Sequence, residues 1–113
     1  MDDCIFCKII AGELPTKKVS EGDGWVAFRD IAPKAPEHVL IVPKEHIRSL
    51  GEAQDTHKDM LGRLMLATRE VAETLGIRDA YQVKVFSGEN AGQTVFHLHL
   101  HLTGGWKEKQ SDN

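Results

Sequence analysis

Residues 96–102 read Phe-His-Leu-His-Leu-His-Leu. Successive side chains of an extended strand point to opposite faces, so His97, His99 and His101 share one face. Phe96, Leu98, Leu100 and Leu102 share the other. A core would take the leucine face, which leaves three imidazoles in a row on the working side. Imidazoles serve as nucleophiles, proton carriers and metal ligands. At about 3.3 Å per residue the outer two stand roughly 13 Å apart, a span that suits a phosphate chain better than one compact metal shell. A single strand histidine is ordinarily just a satisfied polar residue, but three in strict alternation ask for a function. Zinc chelation by His-x-His is the rival chemistry. Just upstream, Gly92 allows close backbone approach to a ligand. Its N–H and that of Gln93 or Thr94 form a potential anion nest, and the Thr94 hydroxyl adds a donor. Taken alone, Gly-Gln-Thr is a plain turn. Feeding into the histidines, it suits phosphoryl or nucleotidyl transfer, where a nucleophile and oxyanion donors work together.

The second chemical signal is Cys4-x-x-Cys7. This is half a zinc site. Two buried thiols or a redox pair are the alternatives, and the redox pair lacks its βαβ context.

The flanking pattern supplies elements to hold these groups. Residues 4–11 read as about two helical turns favoured by Asp2 and Asp3, ended by Gly12 and Pro15. Strands are predicted at 18–21 and 25–29 around the Gly-Asp-Gly turn, then at 38–42, stopped by Pro43. From 56 to 75, Met60, Leu61, Leu64, Met65, Thr68, Val71, Ala72 and Leu75 recur at three- and four-residue spacing, which predicts an amphipathic helix. Asp55 or Thr56 would cap it and Gly76 would end it. Two more strands follow at 81–87 and 95–102. The polar residues 104–113 read as a partly flexible tail of a single domain spanning 1–113.

Composition narrows the function classes. The formal net charge is −3 and no basic run exceeds Lys17-Lys18, so the footprint of a nucleic-acid binder is missing. Acidic residues stand where a signal peptide needs positive charge, and no apolar run approaches the roughly 20 residues of a membrane span. Two cysteines do not make a disulfide framework. The expectation is a cytoplasmic protein without nucleic-acid or membrane partners.

The string from His97 to Thr103 resembles the histidine-triad (HIT) motif, His-φ-His-φ-His-φ-φ with φ apolar, Thr103 departing at the last place. The segments CIFCKII, VAFRDIAPKAPEHVLIVPKEHI and AGQTVFHLHLHLTGG, and their spacing, resemble the Hint branch of nucleotide-binding HIT proteins over nearly the whole chain. The resemblance implies an α+β fold: a five-stranded antiparallel sheet with one long helix and a short N-terminal helix. It also implies a homodimer joined through helix and strand. The implied activity is hydrolysis of nucleoside 5'-phosphoramidates or related purine-nucleotidyl conjugates through a nucleotidyl-histidine intermediate. In that reading His99 is the nucleophile and the His97 carbonyl orients its ring. His101, Gly92 and Thr94 contact phosphate, and Asp30 accepts from the ribose. Ile5, Phe6, Ile9, Phe28 and Ile31 form the slot for the base, although as bare residues they read equally as core. A similarity to bacterial Hint-like proteins with the same Cys-x-x-Cys implies a structural zinc on Cys4, Cys7, His46 and His97. His38 and His57 are left as structural or surface residues.

One position departs from the family pattern. Phe86 stands where the resemblance implies a phosphate-binding asparagine, and phenylalanine cannot donate. Loss of one preorganised oxyanion donor costs about 2.7–4 kcal/mol. A nucleotide-binding or scaffold protein with little turnover is therefore the alternative function. A protein whose zinc is purely architectural and whose histidine face binds nothing is the third.

Overall fold

The computed structural model describes residues 3–111. Its elements are α1 (Ile5–Ile10), β1 (Lys18–Gly22), β2 (Trp25–Arg29), β3 (Glu37–Pro43), α2 (Lys58–Thr74), β4 (Tyr81–Lys84) and β5 (Leu100–Gly104). The strands form one sheet in the order β1-β2-β3-β5-β4, and every neighbouring pair is antiparallel. This is the expected α+β architecture.

Alternation along the strands divides the apolar residues between two faces. Ala27, Val39, Ile41, Leu98, Leu100 and Leu102 pack with Leu64, Val71 and Ala72 of α2. Val26, Phe28, Leu40 and Val42 point the other way and pack with Phe6 of α1. Burial on both faces explains why β3 reads as the unbroken run Val-Leu-Ile-Val. The α2 side is the larger core. Leu64 is only 2% exposed there, and truncating it to alanine would cost about 2–5 kcal/mol.

Several expected boundaries move. α2 starts at Lys58, preceded by a 3-10 turn over Asp55–His57. Its cap is neither Asp55 nor Thr56. Gln54 and His57 instead close the 3-10 turn ahead of it, the Gln54 N–H donating to His57 Nδ1 at 2.9 Å and the His57 N–H to the Gln54 carbonyl at 2.8 Å. Gly76 does end the helix, in a left-handed conformation at φ +74° that suits a residue without Cβ. β4 stops at Lys84, three residues short of the expected end. No acidic residue lies in the first turn of α1; Asp2 falls outside the described residues. The expected tail starts one residue late, because Gly104 pairs with both Glu37 and Tyr81 inside β5. Asp112 and Asn113 fall outside the described residues. No helix among the described residues is long and apolar enough to cross a membrane.

The most consequential shift concerns the histidines. The β5 ladder begins at Leu100, so only His101 of the three lies in regular strand. Ile41 pairs with Leu100, and extending that register would set Pro43 opposite Leu98. Pro43 has no N–H to give. The chain bends instead. The Leu98 N–H donates to the Ile47 carbonyl at 2.7 Å, and the Pro43 carbonyl accepts from the His97 ring at 2.8 Å. The alternation of faces nevertheless persists, with Leu98 in the α2 core and the His97 and His99 rings edge-on to Phe6. Phe96 leaves the leucine face and packs beneath the Arg48 guanidinium, 4.4 Å from its ring centre.

Candidate functional site

Two clusters of polar side chains lie on the α1 face of the sheet. The first joins Cys4 and Cys7 at the start of α1 to His46 and His97. Cys4 Sγ lies 3.2 Å from His97 Nδ1 and Cys7 Sγ 3.4 Å from His46 Nδ1. The two Nδ1 atoms are 3.1 Å apart. A tetrahedral zinc with Zn–S near 2.3 Å and Zn–N near 2.05 Å sets S···N at about 3.6 Å and N···N at about 3.3 Å. The donors match that spacing. The outer contact of His97 matches too: its Nε2–H donates to the Pro43 carbonyl, which turns the Nδ1 lone pair toward the thiols, the arrangement usual for a metal-bound imidazole. Burial, with Cys4 alongside, pushes the Cys7 thiol up to about 11, so a cation is needed to hold it as thiolate. The four residues fit a structural zinc, which would fasten α1 to the sheet.

The second cluster is built on β3, β5 and the loop after β2. His99 is buried, and its Nδ1–H donates to the His97 carbonyl at 2.8 Å. A carbonyl only accepts, so Nδ1 holds the proton and Nε2 keeps its lone pair. Burial pushes the His99 pKa down, opposed by the hydrogen bond to His97 and by the Asp30 charge. The result is a neutral ring with an available nitrogen.

His101 follows along the same face, its ring centre 5.0 Å from that of His99. Its pKa is pushed down to about 4 by burial, with further lowering from His99 and His38 and opposition from Asp30. Its Nδ1 lies 3.0 Å from His38 Nε2. His38 Nδ1 accepts from the Lys34 N–H at 3.0 Å, so a neutral His38 holds its proton on Nε2 and donates it to His101 Nδ1. The His101 proton is thereby placed on Nε2. His38 is buried, which lowers its pKa despite Asp30; its 3.4 Å approach to Asp30 Oδ2 is accordingly a polar contact and not an ion pair. Asp30, His38 and His101 offer three ligand atoms within 4.8 Å of one another. The Lys34 bond argues against a metal there, because a metal on His38 Nε2 would need the proton on Nδ1, where a donor already points. His38 was missed in the sequence because it lies outside the alternating string; only its pairing opposite Thr103 in the β3–β5 ladder brings it beside His101.

Asp30 sits just after β2, its Oδ1 accepting the Ala32 N–H at 2.8 Å. Asp30, His38, His101, Gly92 and Thr94 line one cleft of about 410 Å³. The expected loop donors are only partly present. The Gly92 N–H is engaged by the Glu89 carbonyl and the Gln93 N–H by the Gly88 carbonyl. Both turn inward because the loop closes a 3-10 turn over Glu89–Ala91 and reverses through Gly92 at φ +104°. Gln93 is a staple: its amide accepts from Gly88 N–H and donates to the Arg48 and Val95 carbonyls. Thr94 is exposed in the cleft wall, and its hydroxyl has no partner among the described residues.

The expected base-slot residues differ in exposure. Phe6 and Phe28 are buried edge to face, ring centres 5.5 Å apart, and Ile9 packs against them. Ile5 is exposed and Ile31 is fully so. Phe86, just past β4, lays its ring 5.1 Å from that of His101.

Comparison with known proteins agrees with this arrangement. A family model described as scavenger mRNA decapping enzyme C-term binding matches residues 3–112. Protein HitA of Neisseria gonorrhoeae is 45% identical over 104 residues, 92% of this chain and 97% of its own length. A 14 kDa zinc-binding protein of Brassica juncea is 40% identical over 105 residues, 91% of this chain and 93% of its own. A solved HIT family hydrolase from Clostridium thermocellum superposes with a TM-score of 0.91 at 44% identity, covering 98% of this chain and 97% of that one. The sheet, the helix on its back and the histidine segment on its front are those of a histidine-triad protein. The chain belongs to the HIT family.

Proposed function

We propose that this chain, acting as a single HIT domain over 1–113, hydrolyses purine-nucleotidyl conjugates such as nucleoside 5'-phosphoramidates through a nucleotidyl-His99 intermediate. The observation that carries the reading is the His99 Nδ1–H bond to the His97 carbonyl at 2.8 Å, which commits the Nε2 lone pair to attack. In the first step the bond from Nε2 to the α-phosphorus forms as the bond to the leaving nitrogen or oxygen breaks. The electron pair leaves with that atom, which takes up a proton. In the second step water attacks phosphorus and releases a proton to solvent, balancing the one taken up by the leaving group. The N–P bond breaks with its electron pair returning to Nε2, and a nucleoside monophosphate and free His99 result. The Nε2–H of His101 and the Thr94 hydroxyl act as donors to the phosphoryl oxygens, with Gly92 keeping the approach open. Asp30 is the ribose acceptor, and Ile5, Phe6, Ile9, Phe28 and Ile31 supply the apolar side for the base.

Zinc on Cys4, Cys7, His46 and His97 would be structural, its contribution being to fix the His97 backbone from which the His99 bond is made. A homodimer is supported by β4 lying at the sheet edge and by the exposed Met65 and Leu66 on α2. The site of action is taken as the cytoplasm. Hydrolysis of adenosine 5'-phosphoramidate by the wild type and by His99→Ala tests the reading. Loss of turnover in the variant is expected; equal rates would sink the assignment.

A second reading, nucleotide binding with little turnover, is favoured by Phe86 beside His101 in place of a donor. Calorimetry with AMP alongside the same assay separates the two, since tight binding by a protein that does not turn over supports the second.

A further inference from the structure

Two lysines of the site cleft have no role in the chemistry above. Lys34 and Lys84 line the same cleft as Asp30 and His101. Lys84 stands directly opposite His101 in the β4–β5 ladder, so both side chains leave the same face with Cβ atoms about 5 Å apart. Lys34 is joined to the cluster through its N–H bond to His38. Each ammonium acts on the site electrically: Lys84 disfavours a charged His101 and Lys34 a charged His38. Among the described residues no carboxylate lies within ion-pair distance of either. Asp30 is the one acid lining the cleft, and its oxygens face Ala32 N–H and His38. Two cations to one acid at this cleft run against a chain whose net charge is −3.

We infer that Lys34 and Lys84 form a subsite for a second anionic group beyond the α-phosphate, selecting nucleotidyl conjugates whose leaving group itself carries negative charge. This rests on the nucleotide reading above. A neutral leaving group would leave the Lys84 ammonium to water and the Lys34 ammonium with only the Ala32 carbonyl at 3.5 Å, whereas a phosphate or carboxylate next to the scissile bond meets two cations.

The test compares ligands that differ by one anionic group. AMP is paired with α,β-methylene-ADP, and the adenosine 5'-phosphoramidate of glycinamide with that of glycine. All four are titrated by calorimetry against His99→Ala protein and against the same protein carrying Lys34→Met and Lys84→Met. The anionic member is expected to bind about 3- to 10-fold tighter at low salt, the size of one or two partly exposed charge pairs. The preference should shrink with added salt and vanish in the lysine variants. The pair that shows the preference identifies phosphate or carboxylate as the natural group. Binding without preference, or a preference that survives both substitutions, overturns the subsite alone. Failure of all four ligands to bind overturns the nucleotide site and the subsite together, and cleavage of the conjugates by His99→Ala overturns only the nucleophile.

Discussion

His38 Nε2 lies 3.0 Å from His101 Nδ1, and the bond from Lys34 N–H to the far side of His38 fixes which of the two rings donates. His101 is therefore held in one tautomer by a residue that need not touch substrate. His38→Phe keeps the ring volume and removes the donor. It should lower turnover about tenfold, the upper range for one hydrogen bond, while shifting the His101 ring nitrogens in ¹⁵N spectra toward mixed tautomers. An unchanged spectrum would show that His38 does not position His101.

Purified protein should hold one zinc per chain, and Cys4→Ser or Cys7→Ser should lose it, as read by elemental analysis. Because binding requires the Cys7 thiolate, and that thiol otherwise titrates at about 11, zinc uptake should release protons and weaken as pH falls. Calorimetry in buffers of different ionisation enthalpy gives the proton count. Chelation should also lower the melting temperature, since the four ligands tie α1 to the sheet.

Acid should destabilise the fold through His101. Its folded pKa of about 4 lies below the ordinary 6.5, so the unfolded chain binds the proton first. Stability from this group is complete above pH 6.5 and falls as pH drops toward 4. His101→Gln should flatten the fall of melting temperature across that window. A slope identical to wild type would place the titration elsewhere.

Phe86→Asn tests the departure from the family pattern. If the position faces the transferred phosphate, an amide donor there should raise turnover by at least about tenfold, given the roughly 100-fold or greater worth of an oxyanion donor. No gain in steady-state rate would mean that the Phe86 ring, now packed on His101, occupies a place from which phosphate is not reached.

Gln93→Ala removes three hydrogen bonds from a side chain only 2% exposed. Denaturant unfolding should show a loss of about 2–3 kcal/mol, with the unpaired Arg48 and Val95 carbonyls as the cause.

How far the chain could be read in advance varies by element. β2 and the face alternation of Leu98, Leu100 and Leu102 follow directly from local pattern, because a two-residue period survives even where the ladder does not. The start of β5 is not legible, since the ladder stops where an extended register would have set Pro43 against Leu98, residues far apart in sequence. The zinc ligands Cys4 and Cys7 announce themselves by spacing, whereas His46 and His97 required the family resemblance. The Gly92 and Gln93 N–H groups depart from expectation for a different reason. Glycine and polar residues signal a turn, but not whether its N–H groups point outward, and here the turn closes on its own carbonyls. His38 could not be singled out without the β3–β5 register.

His97 contributes to two centres with different parts of itself: its ring to the thiols and its peptide carbonyl to His99. Side-chain mutagenesis reads only the first. A mutational scan would score the position as a metal ligand, and His97→Cys, which keeps a zinc donor and the main chain, would be among its mildest changes. The steering of the His99 imidazole by a peptide group leaves no mark on the amino-acid alphabet at this site, and it would surface only through whatever disturbs the path of the backbone.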